Sequence, residues 1–134
     1  MTSIETLLND GDPVVAVIGA TDTPWKYGAK IYRDLKAKGF RVYPVNPTSS
    51  TVDGDRSYAT LGELPETADI VNFVIPPTRT MSVLERTRDV AFGVVWLQPG
   101  AGDAAVVSYL VESGMSHVVD DCIMVRARPR VGRR

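Results

Sequence analysis

The segment that begins at Gly19 has the residue types of a phosphate-binding loop. It follows an apolar run, residues 14–18, and reads Gly-Ala-Thr-Asp-Thr-Pro-Trp-Lys up to Lys26. Glycine lets the chain turn tightly and lets a ligand approach the backbone. The helix expected behind this loop would direct free N–H groups and its positive dipole end toward a phosphate. The loop therefore favours an anionic ligand, with Lys26 as a further charge. The simpler alternative is that Gly19 only ends a strand.

The glycine spacing differs from that of the common nucleotide-binding turns. The next glycine after Gly19 is Gly28, so G-x-G-x-x-G is absent, and no Gly-Lys-Ser/Thr sequence makes a P-loop. NAD-binding domains usually have Asp or Glu at the end of the second strand, where the carboxylate accepts from the ribose hydroxyls. Here that residue is Asn46. This weakens an NAD interpretation and permits a ligand phosphorylated near the ribose. The alternative is that Asn46-Pro47 is only a turn.

The single cysteine and the single histidine are the candidates for nucleophilic or acid–base chemistry. A reactive cysteine needs electropositive surroundings, whereas Cys122 follows two aspartates, Asp120 and Asp121. His117 comes five residues earlier, at the far end of the last expected strand. We therefore expect a structural, half-buried Cys122 and a surface histidine. One residue of each type also argues against a zinc site.

Apolar periodicity predicts the elements that would position these residues. Continuous β-branched runs predict strands, and apolar residues at helical spacing predict helices between them. Regular alternation predicts a doubly wound, mostly parallel α/β sheet of about five to six strands with helices on both faces. Ligands bind such sheets at the carboxyl ends of the strands. The expected strands are residues 14–18, 41–45, 69–75, 94–97 and 117–119, with Val52 in an edge strand, and the main helices are residues 27–38, 79–90 and a helix after Asp103.

Length and composition limit the classes of function. The 134 residues suit one domain, and 44% hydrophobic with 23% charged residues is typical of a soluble globular protein. The formal charge of −1 argues against a general nucleic-acid or membrane-surface binder. No apolar run is long enough to span a bilayer, and the N-terminus lacks signal-peptide features. One cysteine excludes an internal disulfide. We therefore expect a cytoplasmic protein.

Four segments, in their order along the chain, resemble a known family: residues 15–21, 39–47, 95–98 and 120–125. The family is that of the small bacterial and archaeal CoA-binding proteins, single-domain relatives of the CoA-binding domain of the succinyl-CoA synthetase α subunit. The resemblance covers about residues 12–125. It implies a Rossmann-type fold that binds coenzyme A.

The resemblance also implies where the ligand lies. The loop after the first strand wraps the pyrophosphate, and the segment after the second strand lies beside the adenosine. The next loop packs on the adenine or ribose, and the pantetheine arm runs past the fourth strand. Carried onto this chain, the expected contacts are Gly19, Ala20, Thr21, Lys26 and Tyr27, then Val45, Asn46 and Pro47, then Ile75, Pro76 and Pro77, then Gln98, Pro99 and Gly100.

The chain departs from the family pattern in two places. The family often has a basic residue directly after Asn-Pro, but here it is Thr48, so Lys26 or Arg56 would have to contact a 3′-phosphate. The family ending often reads Asp-Arg-Cys-Leu/Ile-Met-Val-Glu-His, whereas residues 120–127 read Asp-Asp-Cys-Ile-Met-Val-Arg-Ala. The phosphorylated histidine of the synthetase lies in a second domain, so we do not expect that reaction here.

We expect residues 1–125 to form a single CoA-binding domain and residues 126–134 to form a basic tail. Five of these last nine residues are arginines, and the rest of the chain carries a formal charge of −6. Pro129 and Gly132 argue against a helix in the tail. We therefore expect a solvated tail, with an arm that meets a phosphate, an acidic partner or nucleic acid as the alternative.

The sequence favours a protein that binds coenzyme A or acyl-CoA without catalysis of its own. One alternative is a CoA- or nucleotide-dependent transferase or ligase component whose catalytic groups come from a partner subunit. Others are an NAD-binding module and an interaction module without a ligand. We expect no nucleic acid, membrane or metal as a partner, and we leave a homo-oligomer or partner subunit open.

Overall fold

Five parallel strands form the main sheet of the chain, which the computed structural model describes for residues 3–130. Their order in the sheet is β2-β1-β5-β6-β7, and a separate hairpin pairs β3 with β4. This confirms the predicted doubly wound α/β fold. In chain order the strands are β1 (Val14–Ile18), β2 (Arg41–Val45), β3 (Thr51–Val52), β4 (Asp55–Arg56), β5 (Ile70–Phe73), β6 (Val94–Leu97) and β7 (His117–Val119).

Helices cover both faces of the sheet, so that two hydrophobic cores form. The core on one face includes Val17, Leu35 and Trp96, and the core on the other face includes Ile18 and Leu84. Successive strand residues point to opposite faces, so these short apolar strands supply both cores. The helices are α1 (Ile4–Asp10), α2 (Tyr27–Ala37), α3 (Pro77–Arg86), α4 (Ala104–Glu112) and α5 (Ile123–Arg126), and a 3₁₀ turn covers Leu61–Glu63.

Local chemistry explains where the elements differ from the expected ones. Val52 lies in the separate β3–β4 hairpin, so it is not in an edge strand of the main sheet. Helix α3 begins at Pro77, two residues earlier than expected, because proline at the first helical position has no N–H to lose. It ends at Arg86, where the Thr87 hydroxyl donates to the Val83 carbonyl. Pro44 is tolerated because β2 is an edge strand.

Residues 126–130 pack against the body of the protein, and for this part of the tail the expectation of solvation is corrected. The Asn9 side chain bonds the backbone of Arg126 and Arg128, and the Arg130 N–H donates to the Lys38 carbonyl at 2.7 Å. The Arg130 side chain is only 4% exposed. Charge alone suggested solvation, but the carbonyls at the end of α1 offer acceptors that no helical N–H satisfies. Arg133 and Arg134 lie outside the described residues.

Arg130 joins three parts of the structure. Its guanidinium donates to the Leu8 and Gly11 carbonyls and lies 3.6 Å from an Asp12 carboxylate oxygen. It also lies 5.1 Å from the centre of the Phe40 ring. The C-terminal segment thereby fastens α1 to the turn after α2.

No helix within residues 3–130 is both long and apolar enough to cross a bilayer.

Replacing Arg130 with methionine should destabilise the protein. The substitution keeps the aliphatic stem but leaves two partly buried carbonyls without a donor, so we expect the free energy of unfolding to fall by about 2–4 kcal/mol. The matched control is Arg128→Met, because that side chain is 69% exposed and 3.8 Å from its carboxylate partner. Its effect should stay below about 1 kcal/mol. Chemical denaturation measures both, and equal effects would contradict the anchoring role of Arg130.

Candidate functional site

A groove of about 1650 Å³ opens along the carboxyl ends of β1, β2, β5 and β6. The strand order reverses between β1 and β5. Strand β2 lies on one side of β1, and the later strands β5, β6 and β7 follow on its other side. Doubly wound sheets bind their ligands at this kind of switch point. Sites for drug-sized ligands usually measure about 300–1,000 Å³. The groove is therefore large enough for an elongated ligand.

The predicted contact residues come together in this groove, with one exception. Ala20 is fully buried in the core and does not line the groove. The others meet because the carboxyl ends of parallel strands lie at the same edge of a sheet. Those that line the groove are Gly19, Thr21, Lys26, Tyr27, Val45, Asn46, Pro47, Ile75, Pro76, Pro77, Gln98, Pro99 and Gly100.

Two distant glycines shape the loop after β1. Gly19 has a φ of +105°, and a Cβ at this position would lie 2.8 Å from Ile75 Cγ2. A Cβ at Gly28, in the first turn of α2, would overlap the carbonyl oxygen of Gly19. These residues supply the tight turn and the close helix approach that a dinucleotide fingerprint obtains from closely spaced glycines. The absence of that spacing in the sequence therefore did not exclude this kind of loop.

Two helices begin at the groove without a side-chain cap. The N-cap of α2 is Lys26 and that of α3 is Pro76, and neither caps its helix with a side chain. By contrast, the Asp103 carboxylate accepts from Val106 N at 3.0 Å and caps α4. An uncapped first turn leaves backbone N–H groups available to an anion. The groove therefore combines two helix N-termini that favour negative charge.

Asn46 links the loop after β1 to the turn after β2. Its amide nitrogen donates to the Ala20 carbonyl at 2.9 Å. Its amide oxygen accepts from the Thr48 N–H at 2.9 Å and from the Thr48 hydroxyl at 2.8 Å. Both ends of the amide are therefore occupied by the protein. Asn46 forms the turn that sequence reasoning offered as the alternative, and it positions the backbone on both sides of the groove.

The groove concentrates positive charge that no carboxylate balances. Lys26, Arg79 and Arg86 line it, and no aspartate or glutamate does so among residues 3–130. Every other lysine or arginine in that range pairs with a carboxylate or lies over an aromatic ring. Arg56, one of the expected substitutes for a basic residue at position 48, lies over the Tyr58 ring and outside the groove.

Sequence reasoning did not assign Arg79 and Arg86 to the site. It predicted the helix after β5 from its apolar residues and gave these two arginines no role. The available signal was their spacing, because residues seven apart lie on the same side of a helix. Ser82 and Val83, which fall between them, also line the groove.

Gln98 directly follows β6 and lines the groove. Gln98 is 4% exposed, and its amide oxygen accepts from the Ile123 N–H at 2.8 Å and from the Asn72 amide at 3.1 Å. Cys122 also lines the groove and is half-buried, as expected. His117 lies at the start of β7 and bonds the Met115 carbonyl. The cysteine and the histidine are thus at opposite ends of one strand.

Shifted pKa values occur in pairs that hold the scaffold beside the groove. A hydrogen bond to Glu66, with burial, raises the pKa of Tyr43 to about 12. Hydrogen bonds from Lys36 and Tyr32 lower the pKa of Asp55. These pairs join β2 to the segment before β5, and α2 to the β3–β4 hairpin. Among residues 3–130 no three side chains of the metal-binding types come together.

Comparisons with known proteins agree with this architecture. A family model described as a CoA binding domain matches residues 13–128. The chain is 28% identical to the uncharacterized protein YneT of Bacillus subtilis over 111 residues, which are 83% of this chain and 82% of that protein. It is similar to the solved structure of a conserved hypothetical protein from Pyrococcus furiosus, with a TM-score of 0.82, 36% identity, and coverage of 86% of this chain and 99% of that one.

A third similarity is to part of a larger enzyme. The chain is 33% identical to the alpha subunit of ADP-forming acetate–CoA ligase II of Pyrococcus furiosus over 91 residues. These residues are 66% of this chain but only 20% of that subunit.

Substituting Gly28 with alanine should disturb the loop after β1. The added Cβ would meet the Gly19 carbonyl, so either the loop or α2 must move. We expect the free energy of unfolding to fall by about 1–3 kcal/mol, although alanine favours a helix by up to about 1 kcal/mol. The control is Gly62→Ala, where the nearest atom is the end of the Val90 side chain at 3.4 Å.

Denaturation and the fluorescence of Trp25, which is 75% exposed in this loop, measure the two effects. Gly62→Ala should change stability by less than about 1 kcal/mol. If Gly28→Ala proves equally harmless, α2 does not approach Gly19 as closely as described.

Proposed function

Because the chain belongs to the family of CoA binding domains, we propose that it binds coenzyme A or an acyl-CoA in the groove, in the cytoplasm. One observation carries the proposal. The groove lies at the switch point of the sheet and is lined by the three cations that have neither a carboxylate nor an aromatic partner among residues 3–130. Coenzyme A is elongated and carries phosphate groups, so its shape and charge both match.

Each part of the ligand has a suitable segment of the groove. We assign the pyrophosphate to Gly19, Thr21 and the first turn of α2, with Lys26 beside it. The adenosine would lie between Pro47 and Pro76, where rigid apolar rings can pack against a base. The pantetheine arm would run past Pro99 and Gly100 towards Gln98. Ala20, being buried, would act only through its carbonyl, which holds Asn46.

We propose that binding occurs without catalysis by this chain. Within the described residues, no carboxylate and no histidine lines the groove, and these are the usual general acids and bases. Cys122 also lines the groove, but within the described residues no carboxylate or histidine lies there to act as its base. The chain would then sense, carry or present its ligand.

The similarity to a ligase subunit supports a second candidate function. In that case the chain would hold CoA while a partner subunit supplies the catalytic groups. Recovery of a ligase-like chain with the purified protein, together with CoA-dependent turnover by the pair, would favour this function. A self-assembled oligomer without turnover would count against it.

Titration calorimetry tests the main proposal. CoA should bind at least about tenfold more tightly than ATP or NAD, a difference of about 1.4 kcal/mol. The expectation follows because CoA alone among the three has both a pantetheine arm for β6 and a 3′-phosphate. Equal or weaker binding of CoA would refute the proposal and would favour a general nucleotide or NAD site.

A negative charge in the loop after β1 should abolish tight binding. Thr21→Glu places a carboxylate beside the proposed pyrophosphate position, so we expect the Kd for CoA to rise at least about tenfold through charge repulsion. Ser108→Glu, on the exposed side of α4, adds the same side chain away from the groove and should leave the Kd unchanged. If both variants bind like the parent protein, the loop is not part of the site.

A further inference from the structure

One face of α3 forms a wall of the groove. Arg79, Ser82, Val83 and Arg86 all line it, at the three- and four-residue spacing that keeps side chains on one side of a helix. Arg79 belongs to the uncapped first turn, and Arg86 is the last residue of the helix. At a rise of about 1.5 Å per residue, their positions lie about 10 Å apart along the axis. The wall therefore presents two guanidinium groups along one side of the ligand's path.

This wall is exposed because the connection between β2 and β5 contains no long helix. That connection consists of the β3–β4 hairpin and the 3₁₀ turn, whose residues Thr60, Leu61 and Gly62 line the groove opposite α3. At Gly62 the 3₁₀ turn approaches the segment after α3, because an added Cβ would lie 3.4 Å from Val90 Cγ2. The groove thus has an arm between the 3₁₀ turn and α3, with a cationic wall.

Neither arginine has a carboxylate or aromatic partner among residues 3–130. Arg88, only two residues beyond Arg86, differs because its guanidinium bonds the Tyr109 hydroxyl at 3.3 Å and lies over that ring. A free guanidinium offers several donors in a planar fork that matches the oxygens of a phosphate. The charge of the α3 wall therefore suits a phosphate monoester, which carries about −1.5 to −2 charges at neutral pH.

The remaining question is which phosphate of coenzyme A the wall would meet. The pyrophosphate has candidates in the loop after β1 and Lys26. Near the ribose, Thr48 is uncharged, and its hydroxyl is bonded to the Asn46 amide oxygen at 2.8 Å. Arg56 lies over the Tyr58 ring. Of the cations that line the groove within residues 3–130, only the two on α3 then remain for a second phosphate group.

We propose that Arg79 and Arg86 bind the 3′-phosphate of coenzyme A and so set the preference for coenzyme A over dephospho-CoA. This inference rests on the proposed function, because it assigns a role within the same groove. It makes α3, rather than the residue after Asn46-Pro47, the element that distinguishes the two ligands.

Calorimetry with CoA and dephospho-CoA tests the assignment in the full chain. The variants are Arg79→Gln and Arg86→Gln, alone and together, with Lys26→Gln and Arg88→Gln for comparison. We expect the double variant to bind CoA at least about tenfold more weakly while its Kd for dephospho-CoA changes less than about twofold. Lys26→Gln should weaken both ligands by a similar factor, and Arg88→Gln should weaken neither.

The outcomes separate this inference from the proposed function. Parent protein that binds both ligands with equal affinity overturns the inference and leaves CoA binding intact. A double variant that keeps its preference for CoA, or that loses affinity for both ligands equally, also overturns it. Parent protein that binds neither ligand overturns the proposed function. Thermal unfolding of each variant checks that the exposed substitutions leave the fold unchanged.

Discussion

The close approach of α2 to the loop after β1 is the contact on which the groove depends. At Gly28 there is no room for a side chain, because the Gly19 carbonyl occupies the space where a Cβ would lie. Gly19 in turn has a positive φ and passes the end of β5 near Ile75. Two residues without side chains thus allow a helix N-terminus, a loop and a neighbouring strand to meet. The switch point of the sheet lies beside all three.

Hydrogen bonds from two side chains that line the groove then hold this arrangement. The Asn46 amide ties the loop after β1 to the turn after β2, and the Gln98 amide oxygen ties β6 to α5 through Ile123. Polar groups buried in this way need partners, because an unsatisfied one costs about 1–3 kcal/mol. Asn46 and Gln98, which the sequence assigned to ligand contact, therefore also stabilise the fold around the groove. Their direct role toward a ligand stays a prediction.

The distribution of charge separates the scaffold from the groove. Outside the groove, cations such as Lys36 and Arg41 are matched by nearby aspartates and glutamates, which bind the hairpin and β2 to the body. Inside the groove, Lys26, Arg79 and Arg86 have no such match within residues 3–130. The formal charge of the whole chain is near zero. It therefore does not reveal that most charges of the scaffold form ion pairs, while the positive charges of the groove do not. This local excess, more than net charge, governs which ligands are attracted.

The sequence alone determined the fold and four of the segments that line the groove. Apolar runs such as residues 14–18 specify buried parallel strands, and the carboxyl ends of such strands must share an edge, so the segments after them had to meet. Only the tertiary structure decided how those residues are used. Ala20 is buried, and both ends of the Asn46 amide form hydrogen bonds with the backbone. The Arg130 side chain is enclosed by α1 and Phe40. Arg79 and Arg86 reach the groove because no long helix covers α3 between β2 and β5. Periodicity reports which face of an element is apolar, but it cannot report which polar groups from distant segments will lie opposite it.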